Sequence, residues 1–570
     1  MRSITKSVVV LLIFSHLSFW SSAQEESLSS TSPTKVDLAD PGQLPTSTAS
    51  SEAFNQVVDR VVEREHSFVA QMRHLHPLVE TYIQNLKNDH DHNVVPTSDE
   101  YFLGRLDTST GTGDRSFVKQ PGVGKRFLTR LMLDEDFQKT SYDFTFVRRE
   151  FLGEVRCLVI DVQPKHTDDG RFLGRIWVED QDYNIVRVNG TYSPHQRSSS
   201  SHFDGWRLNL RPGVWLPAYI YSEESDRKGR NNKNNQTPHF KAQTRLWDYD
   251  VQRLVYNQEF TQIQVDPFQT VRDQSESAQD ATPIEAERAW EHQAEENAVE
   301  RLQKIGLLAP PGEVDKVLGT VVNNLIVTNN LTNIPDVRCR VLLTEPFESF
   351  TIGRTIVVSR GLLDVLPDEA SLAMVLAHEL SHIALGHRFD TKVAFNDRLL
   401  FPDEKTFERL DFTRDTIDEE AADQRALSLL AHSPYKDKLS NAGLFLKALQ
   451  ARAPELKQLI RPHLGNSLAG GKSIRMSALL NAAPQLEMSR IDQIAALPLG
   501  GRVRLDPWSN RVELVKGKPV ALLSAREKMP FEVTPFFPYL TRLQTVTPDK
   551  VAVAPSGQRE SGTFPAANEE

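Results

Sequence analysis

Hydrophobic positions follow one spacing near the start of the chain and another after residue 140. Between residues 54 and 86 apolar side chains recur at helical intervals, as at Val57, Val61 and Met72, which predicts a helix. Residues 142–250 instead contain short, partly alternating apolar runs, and turn signals such as DDG, NG and RPG separate them. Runs of this kind are typical of antiparallel strands. The pattern therefore predicts a helix followed by an antiparallel β-sheet.

Helical spacing returns after residue 282. Two charged amphipathic helices are predicted over IEAERAWEHQAEENAVERLQKIGLL (284–308) and GEVDKVLGTVVNNLIVTN (312–329). Between residues 338 and 366 the runs RCRVLL and TIVVS resemble short strands, and Pro367 and Asp368 then introduce a long apolar helix. We therefore expect an α+β protein, in which an antiparallel β-rich domain precedes a mainly helical domain with a small β-sheet.

The start of the chain has the pattern of a secretory signal peptide. Arg2 and Lys6 precede an apolar run, and small residues follow it, so cleavage is expected after Ala23. An uncleaved membrane anchor is the alternative, but the apolar run is short for a span. We expect a periplasmic or secreted protein with no transmembrane segment in the mature chain.

Composition divides the chain further, because stretches rich in Ser, Thr, Pro and charge separate the periodic regions. The predicted segments are a signal peptide (1–23), a disordered linker (24–52), a helix with an antiparallel β-sheet (53–265), a linker (266–282), the mainly helical domain (283–500), a C-terminal β-hairpin extension (501–544) and a disordered tail (545–570).

Charge and cysteine content narrow the chemistry. The net charge of −10 argues against nucleic acid as a partner. The two cysteines of the chain, Cys157 and Cys339, are too few for a cysteine-based zinc site. They form either one disulfide or two separate buried thiols, and the sequence does not decide between these.

The long apolar helix carries the candidate chemistry. AMVLAHELSHIALGHR (373–388) contains His378, Glu379 and His382 as H-E-x-x-H. Residues four apart share one helix face, so the two imidazoles can bind one Zn²⁺ with the glutamate beside the metal-bound water. An exposed polar face is the alternative, although burial among apolar residues would then be costly. His387 lies off the ligand face and is expected to be a surface or supporting histidine.

A third ligand is expected from a second helix. The metzincin pattern fails, because Leu385 and Arg388 occupy its glycine and histidine positions. TIDEEAADQRALSLLAHSPY (416–435) instead places Glu419 and Asp423 one turn apart. One carboxylate can complete a His₂Glu site while the other orients a ligand histidine. A solvated acidic helix start is the alternative.

These two motifs together resemble the HtpX/CaaX-prenyl-protease metallopeptidase family (metallopeptidase family 48, gluzincins). TIVVSRGLLDVLPDEASLAMVLAHELSHIALGHR and DEEAADQRALSLLAHSPY carry the resemblance, which extends over about residues 284–491 and is nearest to the soluble, exported, BepA-like branch. It implies that residues 283–500 are a zinc metallopeptidase domain with one Zn²⁺ per chain. By the family's register Glu419 is the third ligand, Asp423 orients a ligand and Glu420 is not a ligand.

Two departures from the family pattern concern catalysis. Ser349-Phe350-Thr351 stands where the family often has Asn-Ala-Phe, on a strand whose edge (349–358) is implied to bind substrate. Pro484 stands where the family has a histidine that assists at the active site, and His463 is a candidate substitute. Arg490 is retained, and the resemblance implies that it stabilises developing charge.

The β-rich domain more faintly resembles LolA-like lipoprotein carriers, through FLGEVRCLVIDVQPK and GRFLGRIWVEDQDYNIVRVNGTY. This likeness implies a surface for a lipid or lipoprotein, whereas a generic docking sheet is the alternative. The combined expectation is an exported zinc endopeptidase that hydrolyses unfolded or misassembled envelope proteins. A zinc-binding chaperone and a lipid or lipoprotein carrier with impaired proteolysis are the alternatives.

Overall fold

The computed structural model describes the chain in segments. The described residues are 48–88, 94–107, 113–116, 133, 136–166, 171–192, 199–226, 238–249, 283–334, 336–388, 407–470, 473–487, 490, 493–500, 502–515 and 531–543. The predicted signal peptide, both predicted linkers (apart from the start of the first helix) and the predicted tail lie outside them. The described residues from Ala53 onward form one compact unit.

An antiparallel sheet fills the first half of the described chain, as the alternating runs predict. Its described strands lie in the spatial order β3-β2-β1-β10-β9-β8-β7-β6-β5-β4. Successive strands are hairpin neighbours from β4 to β10, and β1 then pairs with β10. The strands are β1 Leu78–Asn88, β2 Val94–Asp107, β3 Gly113–Ser116, β4 Tyr142–Leu152, β5 Val155–Pro164, β6 Phe172–Glu179, β7 Ile185–Tyr192, β8 Ser199–Arg211, β9 Val214–Asp226 and β10 Pro238–Trp247.

The helix predicted over residues 54–86 is too long at its carboxyl end. Helix α1 spans Thr48–Met72, and β1 begins six residues later. Pro77 lies between them and lacks the N–H that a continuing helix needs. The strand is buried on both faces from Leu78 to Gln84, so it lacks the alternation that would have identified it.

The second half is mainly helical, as predicted. Its small sheet has the order β11-β13-β12, in which β11 is parallel and β12 antiparallel to β13. The elements are α2 Pro283–Lys304, α3 Glu313–Thr328, β11 Arg338–Leu342, β12 Ser349–Ile352, β13 Thr355–Ser359, α4 Arg360–Val365, α5 Glu369–Leu385, α6 Thr416–Ala431, α7 Leu439–Arg452, α8 Lys457–Ile460, β14 Ala469–Gly470, β15 Ser473–Ile474, α9 Ser477–Ala482, β16 Val503–Leu505 and β17 Val512–Leu514. The last two strands form the predicted hairpin, with Asn510 in its turn at φ 56°.

Both faces of the large sheet are covered. Val61, Phe68 and Met72 of α1 pack on one face in a cluster with Phe102 and Ile160. Aromatic side chains of the opposite face belong to the same buried cluster as the helical half of the chain, and these are Tyr82, Tyr101, Trp177, Trp206, Trp215, Tyr219 and Trp247. The sheet is therefore the middle layer of the unit, and the helical half lies directly against it.

Polar contacts fasten the sheet to the helical half. Arg360, at the start of α4, is fully buried, and its Nη2 lies 2.6 Å from a carboxylate oxygen of Glu80 on β1 and 2.6 Å from one of Glu345. Asp99 of β2 accepts hydrogen bonds from the backbone N–H groups of Gln458 and Leu459. Buried ion pairs and hydrogen bonds of this kind tolerate little displacement, so they fix the position of the helical half against the sheet.

Cys157 and Cys339 are free and buried, which decides between the two predicted arrangements in favour of separate thiols. Burial raises the pKa of each thiol to about 12. Among the described helices, none combines the length and the apolar composition that a membrane crossing requires.

Candidate metal centre

Helix α5 places the two candidate imidazoles on one face. Asp368 caps its first turn by accepting the backbone N–H of Ser371 at 2.9 Å, and Gly386 ends it in the left-handed conformation at φ 71°. His378 and His382 are buried one turn apart, and their Nε2 atoms lie 3.1 Å from each other.

Helix α6 brings Glu419 to the same point. Its carboxylate oxygens lie 3.4 Å from Nε2 of His378 and 3.3 Å from Nε2 of His382. Tetrahedral zinc, with bonds of about 2.0–2.2 Å, holds its ligand atoms about 3.3–3.5 Å apart. The three side chains fit a zinc ion that keeps a fourth position free. In the described part of the chain they form a group whose donor atoms all lie within 4.8 Å of one another.

Each imidazole is oriented through its other ring nitrogen. Nδ1 of His378 lies 2.8 Å from Oδ1 of Asp423, whose Oδ2 accepts the backbone N–H of Met476 at 2.7 Å. Nδ1 of His382 lies 2.9 Å from Nδ1 of His387, and Nε2 of His387 lies 3.5 Å from Asp418. Partners of this kind fix the ring and leave Nε2 to the metal. His387 therefore contacts His382, and Asp423 contacts the candidate ligand His378.

The charges around the donors favour cation binding. Burial would raise the pKa of Glu419, but hydrogen bonds from His378 and His382 and the charge of Arg475 hold it far below its usual value. Burial lowers the pKa of His382. Burial also opposes charge on His378, yet its hydrogen bonds to Asp423 and Glu419 outweigh this and raise its pKa. A metal ion would therefore meet a carboxylate that is strongly held in its ionised form, beside two imidazoles.

Glu379 lies beside the three candidate metal ligands but is not one of the ligand group. Its carboxylate accepts the hydroxyl of Ser349 at 2.7 Å and the hydroxyl of Thr351 at 2.8 Å, both from β12. Burial would raise the pKa of Glu379, but His378, Arg475 and His382 outweigh this and lower it. The residues that replace Asn-Ala-Phe of the family pattern thus hold an ionised glutamate next to the donor atoms.

An arginine that the sequence reasoning missed completes the cluster. Nε of Arg475 lies 3.0 Å from Oε2 of Glu419, and its Nη1 lies 3.5 Å from Oε1 of Glu379. Arg490, the arginine expected in this role, is half exposed and forms an ion pair with Glu487. No motif marks Arg475, because it follows a short irregular segment 52 positions after Asp423 (475 − 423).

Pro484 and His463, the other two positions named with the family resemblance, lie elsewhere in the fold. The carbonyl of Pro484 accepts a hydrogen bond from Nζ of Lys447 at 3.0 Å. The ring of His463 stacks on Tyr101 of the large sheet at 5.4 Å between ring centroids, and its backbone N–H binds Glu348. The imidazole of His463 therefore packs against the sheet.

The edge of β12, expected to receive a substrate strand, is covered in this structure. The carbonyl of Thr351 accepts Nη2 of Arg414 at 3.1 Å, and Phe412 stacks on Phe350 at 4.8 Å. Gly465 packs so closely that an added Cβ would lie 2.9 Å from the carbonyl oxygen of Ser349. Residues 412–414 and 464–466 thus occupy the place of an incoming strand. Docking of a substrate strand along 349–358 stays a prediction, and it would require these two segments to move away from β12.

A cleft of about 700 Å³ opens on the cluster from another side. Glu419, Asp423 and Arg475 line it next to the donor atoms, and Arg414 and Arg461 line it farther along. A peptide entering this cleft would meet Glu419 and Arg475 together.

Comparison with protein families agrees with this geometry. Residues 320–398, which include α5 and both candidate histidines, match the model of peptidase family M48. The match supports a zinc metallopeptidase. No curated protein matches the chain.

Solved structures match the β-rich half. A LolA superfamily protein from Nitrosomonas europaea is similar at 11% identity, over 34% of this chain and 91% of its own, with a TM-score of 0.19. A DUF1329 family protein from Desulfovibrio piger is similar at 11% identity, over 35% of this chain and 93% of its own, with a TM-score of 0.18. TM-scores this low carry no argument about the fold or the ligand of this chain.

Proposed function

We propose that this protein is an exported zinc endopeptidase that cleaves unfolded or misassembled proteins of the cell envelope. The observation that carries the proposal is the placing of His378, His382 and Glu419 at the ligand separations of tetrahedral zinc, with Glu379 beside them. The proposed export rests on the signal-peptide pattern of the first 23 residues.

The roles of the residues follow from their contacts. Zinc bound by His378, His382 and Glu419 would act as a Lewis acid toward water and the scissile carbonyl. Glu379 takes a proton from the attacking water as the water oxygen bonds to the carbonyl carbon. The C–N bond then breaks, and Glu379 passes the proton to the leaving amine. Ser349 and Thr351 orient its carboxylate through their hydroxyl groups for both transfers.

Unfolded protein is the substrate class that the access route favours. The donors are buried, and the edge of β12 is covered, so peptide reaches Glu379 through the cleft lined by Glu419 and Arg475. A folded domain is too wide for a cleft of about 700 Å³, whereas an extended segment fits.

The lipid or lipoprotein carrier has less support than the peptidase. Carriers need an open apolar surface, but α1 covers one face of the large sheet and the helical half covers the other. A zinc-binding chaperone without turnover shares the same donors, so only measurement of catalysis separates it from the peptidase.

The test compares the full chain with its Glu379→Gln variant on casein, with zinc content measured for both. We expect the wild type to cleave casein, and the variant to retain one zinc per chain and to lose cleavage, because glutamine cannot accept the proton. Bound zinc without cleavage by the wild type would favour the chaperone. Equal cleavage by both proteins would remove Glu379 from the mechanism.

A further inference from the structure

Arg475 is held at the metal centre by its neighbours in the chain. It follows β15 and precedes Met476, which has a left-handed backbone at φ 52° and donates its N–H to Oδ2 of Asp423 at 2.7 Å. Asp423 in turn binds His378. The backbone beside Arg475 is therefore fixed to the same carboxylate that orients a ligand histidine.

Its guanidinium has hydrogen-bonding capacity that the described residues do not use. The side chain is 8% exposed, and neither Nε nor Nη1 has an aligned hydrogen-bond acceptor within the described part of the chain. Its two charged neighbours are already bound by others, Glu379 by Ser349 and Thr351, and Glu419 by the two histidines. Buried N–H donors without acceptors are uncommon and costly, which points to an acceptor that arrives with a ligand.

The guanidinium also faces the route of the substrate. Arg475 lines the cleft together with Glu419, and its Nη1 lies 3.5 Å from Oε1 of Glu379. When Glu419 binds a metal ion, part of its negative charge is neutralised, and the attraction that draws Arg475 toward it weakens. Within the described residues, Nε and Nη1 of Arg475 are then N–H donors without an acceptor, 3.0 Å from Glu419 and 3.5 Å from Glu379.

We propose that Arg475 is a catalytic residue that donates hydrogen bonds to the scissile carbonyl oxygen as negative charge develops on it. The inference rests on the proposed peptidase function. It assigns to Arg475 the work that the family resemblance gives to Arg490 and to the histidine replaced by Pro484. Such a donor acts mainly on the transition state, because the oxygen carries less charge in the substrate.

The test uses the zinc-loaded full chain with Arg475→Gln and Arg475→Lys. Arg354→Ala is the matched control, because Arg354 is a half-exposed arginine that pairs with Glu296. We expect Arg475→Gln to lower kcat about 10²- to 10³-fold with little change in KM. Arg475→Lys should keep part of the rate, since it retains the charge without the planar donor pair. Arg354→Ala should match the wild type.

A binding measurement separates this role from a structural one. Calorimetry with a phosphinic peptide, which carries anionic oxygens in place of the scissile carbonyl, should show affinity falling by a factor similar to that of kcat in Arg475→Gln. Zinc content should stay at one per chain, and added methylguanidinium should restore part of the rate of Arg475→Ala.

Three outcomes would overturn the proposal. Arg475→Gln could retain full kcat and phosphinic-peptide affinity, or it could lose zinc, which would make Arg475 a positioning residue. Arg490→Gln could instead show the loss of kcat and affinity. If the wild type cleaves nothing, the proposed function fails separately, and the calorimetry still reports whether Arg475 binds an anionic oxygen.

Discussion

At the scale of single residues, what the sequence predicted depended on spacing. His378, Glu379 and His382 were predictable because an intact helix puts residues four apart on one face. Glu419 and Asp423 were candidates because they lie one turn apart on a second helix, and the family resemblance then assigned the ligand role to Glu419; the structure brings both to the donors. Arg475 was not predictable, because its position depends on how an irregular segment folds back onto Asp423.

Glu348 is a residue whose titration should affect stability. It is buried beside the covered edge of β12, and its Oε1 accepts the backbone N–H of His463 at 2.6 Å. Burial raises its pKa from 4.5 to about 7. The folded protein therefore binds this proton more tightly than the unfolded chain, so the free energy of unfolding falls as the pH rises from about 4.5 through 7.

Replacing Glu348 with glutamine should remove this pH dependence. Glu348→Gln keeps the acceptor for His463 and carries no charge, so it should be more stable than the wild type at pH 8, by about 1–3 kcal/mol, and similar near pH 5. Urea titrations at the two pH values measure the difference. Glu348→Ala should be less stable at both, because it leaves the His463 N–H buried without a partner. If the free energy of unfolding changed with pH in the same way for the wild type and Glu348→Gln, the pKa of the Glu348 carboxyl would not be raised in the folded protein.

At the scale of elements, periodicity identified those that bury one face. It found α6 and the strands from β4 to β10, but it read β1 as helix because that strand is buried on both faces. Helix α5 is buried nearly all round and was predicted instead from Pro367, Asp368 and its apolar run. The sequence also did not predict that residues 412–414 and 464–466 lie over β12. Phe412 and Gly465 approach the strand from segments with no periodic pattern, and their pairing depends on tertiary contacts.

Gly465 offers a test of that cover. An alanine Cβ would lie 2.9 Å from the carbonyl oxygen of Ser349, which is backbone and yields little. We expect Gly465→Ala to lower the free energy of unfolding by about 1–3 kcal/mol and to speed amide hydrogen exchange in Ser349–Ile352. Gly319→Ala is the matched control, because nothing lies within 4 Å of its Cβ and alanine favours the interior of α3. If hydrogen exchange in Ser349–Ile352 were unchanged in Gly465→Ala, residues 412–414 and 464–466 would have adjusted to the added methyl group while staying on the edge of β12.

At the scale of the whole molecule, the sequence predicted two domains joined by a linker at 266–282, and that linker lies outside the described residues. What composition could not predict is how closely the two halves pack. The buried cluster that holds the metal centre includes side chains of the large sheet. Contacts across the two halves depend on shape and on single polar partners, which leave no periodic signal in either segment.

Arg360 is the central polar partner in that packing. It is fully buried against Glu80 of the sheet, and against Glu345 and Asp364 of its own half. Removing one member of a buried ionic cluster leaves the others uncompensated, which typically costs about 3–5 kcal/mol. We therefore expect Arg360→Met to lower the free energy of unfolding by about that amount, whereas Arg354→Met, at a half-exposed ion pair, should change it by less than about 1 kcal/mol.

Calorimetry of the same variant would show whether Arg360 couples the two halves. If the two halves unfold together, the wild type should show one cooperative transition. In Arg360→Met the carboxyl groups of Glu80 and Glu345 lose the partner that joins them across the contact, so the transition should broaden or divide. Two transitions already present in the wild type would mean that the halves fold independently. The sheet would then be a partner bound to the peptidase half, and loss of Arg360 should lower only their mutual affinity.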